Sequence, residues 1–234
     1  MIEAIISLAI VLPLTLLFSF FISKKLTPKW DGRENYGYKG EQWSKPLIAS
    51  IIVASLFTVL MAAVVGATLF ISATMGLFVF FLSATALTDA KSHLIPKELS
   101  NMALIVGLAV ALLGFITGQY YISEHLTSQS TQFIFQATHF GLYMFAISML
   151  FVAIMFAPVI GFGDIKMFWA AGLFVGSFFV FHHMLAVFML MFIFMGFQLA
   201  FSMVKAKSWK VAGGLPALPA FAVAFVTLTL VLNL

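Results

Sequence analysis

Apolar runs about twenty residues long recur along the whole chain, and no other feature limits its fold so strongly. A helix needs about 20 such residues to cross a hydrocarbon core. The first run covers about Ile5 to Ile22. It reads as a retained span, because its start carries Glu3 and no basic residue, and no small-residue cleavage site follows. The block from Pro46 to Thr88 is too long for one span and fits two, with a tight turn near Gly66. Further runs cover about Leu99 to Gly118, about Thr138 to Pro158, Ile165 to Phe181, Met184 to about Val204, and about Leu215 to Val231. The expected fold is all-α, a polytopic membrane helical bundle of about eight transmembrane helices. The short sixth run and the undivided second block leave seven and nine as alternatives. With 63% of residues hydrophobic, 9% charged and a mean hydropathy of +1.12, the chain lacks the polar residues to cover a soluble surface. That excludes a soluble enzyme, a nucleic-acid binder and a disordered linker.

The basic residues fall on alternate loops of this map. Lys24, Lys25, Lys29, Arg33, Lys39 and Lys45 lie between spans one and two, and Lys91 and Lys97 between three and four. Lys166 lies between five and six, and Lys205, Lys207 and Lys210 between seven and eight. The opposite loops hold Glu124, His125, His182 and His183 but no Lys or Arg. The positive-inside rule then makes the basic loops cytoplasmic and both termini external, in a cytoplasmic (inner) membrane. Residues 1–234 are expected to form a single membrane domain, with 23–45 a short irregular cytoplasmic loop.

Of eight carboxylates, Glu3, Asp31, Glu34, Glu41 and Glu124 read as solvated surface charge, and Glu98 as an acid in a helix's first turn. Asp89 and Asp164 differ. Asp89 ends the apolar run that starts at Phe80, and Asp164 opens another after Pro158-Val-Ile-Gly-Phe-Gly163. One acid at membrane depth is as easily a headgroup-level residue as a functional one; two at span ends on the same side point to a paired site. Two carboxyl groups brought close share a proton and titrate as a unit, so one takes a proton from water while the other polarises a peptide carbonyl. Helix ends suggest a division: Asp164, at the N-terminal end of its span, as the base, and Asp89, at a C-terminal end, as the acid.

Neighbouring residues fit such a use. Gly161 and Gly163 remove side chains beside Asp164 and leave room for close approach by backbone or substrate. Pro158 helps to end the preceding helix. Lys166 either favours an ionised Asp164 or anchors at lipid headgroups, the latter being the simpler reading. His93 reads as incidental, and the adjacent His182 and His183 have no acidic partner in sequence, so no metal site and no cofactor is expected. The 28 Phe and 13 Met read as lipid-facing and helix-packing bulk.

The run Asp89-Ala-Lys-Ser-His-Leu-Ile-Pro96 resembles the first active-site motif of type IV prepilin peptidases. Gly161-Phe-Gly-Asp164-Ile-Lys166 is similar to their second motif, the Gly-x-Gly-Asp shared by a class of membrane aspartyl proteases. The small-residue-rich Met167 to Gly176 and the Leu215-Pro-Ala-Leu-Pro-Ala220 entry to the last span extend the likeness from about Phe80 to the C-terminus. The resemblance implies an aspartic-type endopeptidase that removes the basic leader of prepilins or pseudopilins at the cytoplasmic face. Asp89 and Asp164 would be the catalytic pair, with Gly161, Gly163, Lys166 and Pro96 in support. Implied partners are those substrates, the bilayer, and pilus or type II secretion assembly proteins, with no nucleic acid.

Large bacterial members of that family carry two zinc-binding Cys-x-x-Cys pairs in the first cytoplasmic loop and also methylate the new N-terminus. Here that loop has no Cys, so no zinc tetrad is expected and N-methylation is not implied. A presenilin-like or signal-peptide-peptidase-like protease shares Gly-x-Gly-Asp and has the triplet found at Pro216-Ala-Leu218, but there a Tyr precedes the first Asp and the two Asp lie on consecutive spans. A proton-coupled transporter would place Asp nearer mid-bilayer within broken helices. A catalytically inactive assembly scaffold is the third alternative.

Overall fold

In a computed structural model of the protein, the described residues are 2–30, 44–92, 95–117, 162–175, 181–206 and 217–231. They form seven helices and no strand: α1 (Ile2–Trp30), α2 (Ser44–Ala63), α3 (Leu69–Ser92), α4 (Lys97–Thr117), α5 (Phe162–Val175), α6 (Phe181–Ala206) and α7 (Ala217–Val231). Each overlaps an expected span, but α1 continues to Trp30, eight residues into the stretch expected to be an irregular loop. Four carry apolar stretches long enough to cross a membrane, Ile2–Lys24, Lys45–Ala63, Leu69–Ala90 and Lys97–Gly114, and shorter apolar stretches lie in α6 and α7. The expected fifth span, 138–158, and most of the 23–45 loop lie outside the described residues. The apolar outer surface, with Leu16, Leu56, Ile105, Phe197 and Phe201 all exposed, is that of a membrane protein.

The block 46–88 divides at Gly66, as expected. Gly66 takes φ +74°, the left-handed conformation that glycine adopts without penalty. The Ala67 N–H then reaches back to the Met61 carbonyl at 2.9 Å and closes the end of α2. Thr68 starts α3: its carbonyl accepts from Ser72 N at 2.9 Å and its hydroxyl from Ile71 N at 3.4 Å, the pattern of an N-cap.

The bundle is built around α3. Of its apolar stretch 78% is buried, against 22% for α1, and it packs against α1, α2, α4, α5 and α7. Six phenylalanines, Phe78, Phe80, Phe81, Phe174, Phe221 and Phe225, are among the largest fully buried side chains. Phe78 stacks edge-on against Phe225 of α7 with centroids 4.9 Å apart and tilts over Phe174 of α5 at 5.4 Å. Among the described residues, the fully buried Phe side chains are therefore concentrated on this one helix and its partners.

Paired contacts fix the helix directions. Ser7 bonds Ser72 at 2.7 Å and Phe18 meets Phe81 at 5.6 Å, so α1 and α3 run parallel. Asn101 bonds Lys166, and Gly107 abuts Leu173 and Phe174, so α4 and α5 also run parallel to each other. Where backbones approach, small residues allow it. Gly76 of α3 lies against the Thr58 side chain of α2, whose hydroxyl is held by the Ala54 carbonyl at 2.7 Å. A methyl at position 76 would overlap that hydroxyl. Gly76→Ala is expected to destabilise the fold by about 1–3 kcal/mol, seen as a lower melting temperature in detergent, and Thr58→Ala in the same chain should recover part of the loss.

Candidate active site

Asp89 sits in the last turn of α3, and Asp164 in the first turn of α5. Their depth follows from the aromatic contacts. Phe174 of α5 touches Phe78 and Phe81 of α3. From that crossing, Asp164 lies ten residues back along α5, about 15 Å at 1.5 Å per residue, and Asp89 eight to eleven residues on along α3, about 12–16 Å. Ile95, just past the end of α3, packs on Gly163 at the start of α5, while Phe78 and Phe81 meet Phe174 near its end; the two helices are therefore antiparallel, and both carboxylates stand at the same end of the bundle, within about a turn of one depth.

They also face the same seam. Asp89 follows Phe78 by eleven residues, about three turns, and so shares its face of α3. Phe78 meets both α5 and α7. Asp164 precedes Phe168 by four residues, one turn along the same face of α5, and Phe168 packs edge-on against Phe221 of α7 at 5.1 Å. One turn before Phe221, the Leu218 N–H of α7 donates to Asp89 Oδ2 at 3.3 Å in buried surroundings. The seam between α3, α5 and α7 thus opens at one end onto both acids. Asp89 is only 5% exposed, and although Asp164 is half-buried, its Oδ1 atom is shielded from solvent.

The other motif residues hold this end together. Pro96 is buried and its carbonyl accepts from Leu99 N and Ser100 N, both at 3.1 Å, so it starts α4. Proline disfavours the helical conformation in the residue before it, and that residue, Ile95, is non-helical and packs on Gly163. A Cβ at 163 would lie 2.7 Å from the Ile95 Cβ and 3.0 Å from its Cδ1. The expected room beside Asp164 is therefore filled by a residue of the other Asp motif, and the two motifs are in direct contact. Gly161, Pro158 and His93 lie outside the described residues.

Lys166 is two residues beyond Asp164, about 200° around the helix, and so turns away from it. Its Nζ donates to Asn101 Oδ1 of α4 at 2.7 Å, a cross-helix link that neither sequence-based reading of Lys166 contains. Asn101 and the Leu218 amide are the site-end groups that sequence reasoning missed. Asn101 had no motif to mark it; the segment Leu215–Ala220 was marked by its resemblance, but nothing in it showed that the Leu218 amide meets Asp89. Leu218 also changes the helix-end argument. Asp89 ends α3 but caps the N-terminus of α7, so both acids face a helix N-terminus and helix ends no longer separate base from acid.

No group of three or more His, Asp or Glu able to hold a metal occurs among the described residues. An apolar groove of about 810 Å³ lies between α1, α3 and α4, lined by Glu3, Thr68, Ala73, Leu77 and Val110, toward the opposite end from the acids. It is separate from the site.

Apolar helices of membrane-crossing length, packed so that two acids share one helix seam, define a polytopic helical membrane protein with a carboxylate-bearing site. The model of the type IV leader peptidase family matches residues 76–200, more than half of the chain and inclusive of both Asp motifs, and the chain belongs to that family. It is accordingly a peptidase of the leader-peptidase type, and the match does not favour the presenilin-like or transporter alternatives. No curated protein and no solved structure matches the chain.

Gly163 supplies a test of the motif contact. Gly163→Ala drives a methyl into an Ile95 atom fixed to the backbone, so α5 or the linker has to shift; displacements of about 1 Å near reacting groups cost about 10²-fold. Leader processing should fall by about that factor. Gly196→Ala, where a Cβ meets nothing within 4 Å, should process normally.

Proposed function

We propose that the protein is an aspartic-type endopeptidase that removes the basic leader of prepilins or pseudopilins, with Asp89 and Asp164 as its catalytic pair. Family membership supports the reaction class. The observation that carries the residue assignment is the shared seam: both acids face the contact of α3, α5 and α7 at one depth.

The chemistry needs only the two carboxyl groups and water. An ionised carboxylate takes a proton from water as the water oxygen bonds to the scissile carbonyl carbon. The protonated partner hydrogen-bonds the carbonyl oxygen and stabilises the charge that develops there. The partner's proton passes to that oxygen to give a tetrahedral diol; as the diol collapses and the C–N bond breaks, the first carboxyl gives the proton it took from water to the leaving nitrogen, and a diol hydroxyl returns one to the partner. The products are a new carboxyl terminus and a new amino terminus, and the pair again shares one proton. Gly163 and Pro96, through Ile95, hold the two motifs together, and Lys166 ties α5 to α4.

The reading extends to topology. The parallel run of α4 and α5 supports the count of eight spans, with 138–158 as the fifth. On that count the basic loops and both acids face the cytoplasm, the termini are external, and 1–234 is one membrane domain in the inner membrane. A prepilin helix lying in the bilayer then presents its leader junction at the interface where the acids stand. Partners are prepilin-type substrates and, beyond them, pilus or type II secretion assembly proteins. The Cys-free loop supports peptidase activity without a zinc site, and the mass of the mature product's N-terminus would show whether a methyl is added.

Co-expression with a prepilin, read as leader removal on a gel, tests the assignment. Asp89→Asn and Asp164→Asn should each lower processing by at least about 10²–10⁴-fold while leaving membrane insertion intact. Normal processing by either variant would sink the two-carboxylate mechanism.

A further inference from the structure

The first turn of α7 lies beyond residue 200, where the family match ends, and its contacts reach both acid-bearing helices. We infer that this turn is a positioning element of the active site, with the Leu218 backbone amide orienting the Asp89 carboxylate. The inference rests on the reading of Asp89 as catalytic.

The opening amides of a helix have no carbonyl partner within it, so they bond an outside acceptor without breaking the ladder. In α7 that set is short, because Pro219 has no N–H. Ala217, Leu218 and Ala220 remain, and Leu218 N is the donor to Asp89 Oδ2, at 3.3 Å and 129 residues away in sequence. The donor is rigidly mounted. Ala217, Leu218, Ala220, Phe221, Ala224 and Phe225 are all buried, and Phe225 stacks on Phe78 of the same helix that ends in Asp89. The partner side is equally fixed, since Asp89 is 5% exposed and the preceding Thr88 hydroxyl is spent on the Thr85 carbonyl at 2.8 Å.

The same turn also registers the second acid. Phe221, one turn past Leu218, packs on Phe168, one turn past Asp164. A single helical turn therefore carries a polar contact to one acid and an apolar contact to the helix start that bears the other. A shift of α7 along its axis would alter the spacing of the two acids. Leu218 is a positioning residue: the backbone N–H matters, and it acts through Asp89.

Replacing the 218 amide by an ester, through incorporation of the α-hydroxy analogue of leucine, deletes only the N–H and keeps the side chain. In full-length protein reconstituted in liposomes, with a prepilin-type substrate, kcat should fall by about 10- to 100-fold, the value of a hydrogen bond to a charged group. KM should stay within about threefold, and the acidic limb of the kcat–pH profile should be displaced from wild type. Leu218→Pro, which also removes the donor at a first-turn position that tolerates proline, should shift kcat the same way. Leu218→Met keeps the N–H and should retain most of the wild-type rate. An ester variant with wild-type kcat and pH profile overturns the inference, as does a change confined to KM. Normal cleavage by Asp89→Asn would instead overturn the catalytic assignment on which it rests.

Discussion

The arrangement depends on one costly act, the burial of Asp89 at the end of the most enclosed helix of the bundle. A carboxyl group withdrawn from water needs hydrogen-bond donors, or folding loses several kcal/mol. At a helix C-terminus the local backbone offers carbonyls, which are the wrong polarity. One donor comes from α7, whose N-terminal amide at Leu218 is brought to Asp89 by packing of Phe225 against Phe78. The position of α7 is thus tied to the acid, and the acid to α7.

Lipid supplies little hydrophobic drive for helices to associate, so shape and a few polar contacts decide the packing. Three glycines mark the closest approaches: Gly76 on Thr58, Gly107 on Phe174 and Gly163 on Ile95. Large rings fill the remaining space, with Phe78 touching both Phe174 and Phe225. The Ser7–Ser72 hydroxyl pair, fully buried, sets the register of α1 on α3 at the other end. Such contacts leave few alternative registers for α3, and α3 sets the depth of Asp89.

Span positions were legible because a bilayer imposes a length, and each described helix falls on an expected run. The division near Gly66 was legible too, since a 43-residue apolar block needs a break and glycine permits the left-handed turn found there. The Asp motifs stood out because acids next to apolar runs are rare. Which face each helix turns inward was not legible. Apolar residues surround every span, so no polar stripe marks an outside, and only the structure shows that Phe78, Phe81 and Phe174 lie within while Phe197 and Phe201 face out. Contacts through backbone atoms left no trace either. Gly163 was read as space for an incoming chain, whereas the Ile95 side chain occupies it. For Lys166 the sequence offered an electrostatic role beside Asp164 or a headgroup anchor, and gave no sign of its bond to Asn101.

Hydrolysis at the edge of a bilayer needs a polar chamber where the surrounding solvent is hydrocarbon. Helix ends supply one without added polar side chains, because each terminus exposes backbone groups that its own ladder leaves unused. Here α3 ends, and α5 and α7 begin, at one place, joined by Phe168 on Phe221 and by Leu218 on Asp89. One set of carbonyls and two sets of amides therefore converge beside the acids. Two amide-bearing ends favour negative charge, and one carbonyl-bearing end opposes it. That balance is the one the proposed pair, sharing one proton, would need, and it depends on helix direction more than on residue identity. It also gives a physical reason for the order of the motifs: an acid closing one helix and an acid opening an antiparallel one meet at the same end without any loop having to carry them there.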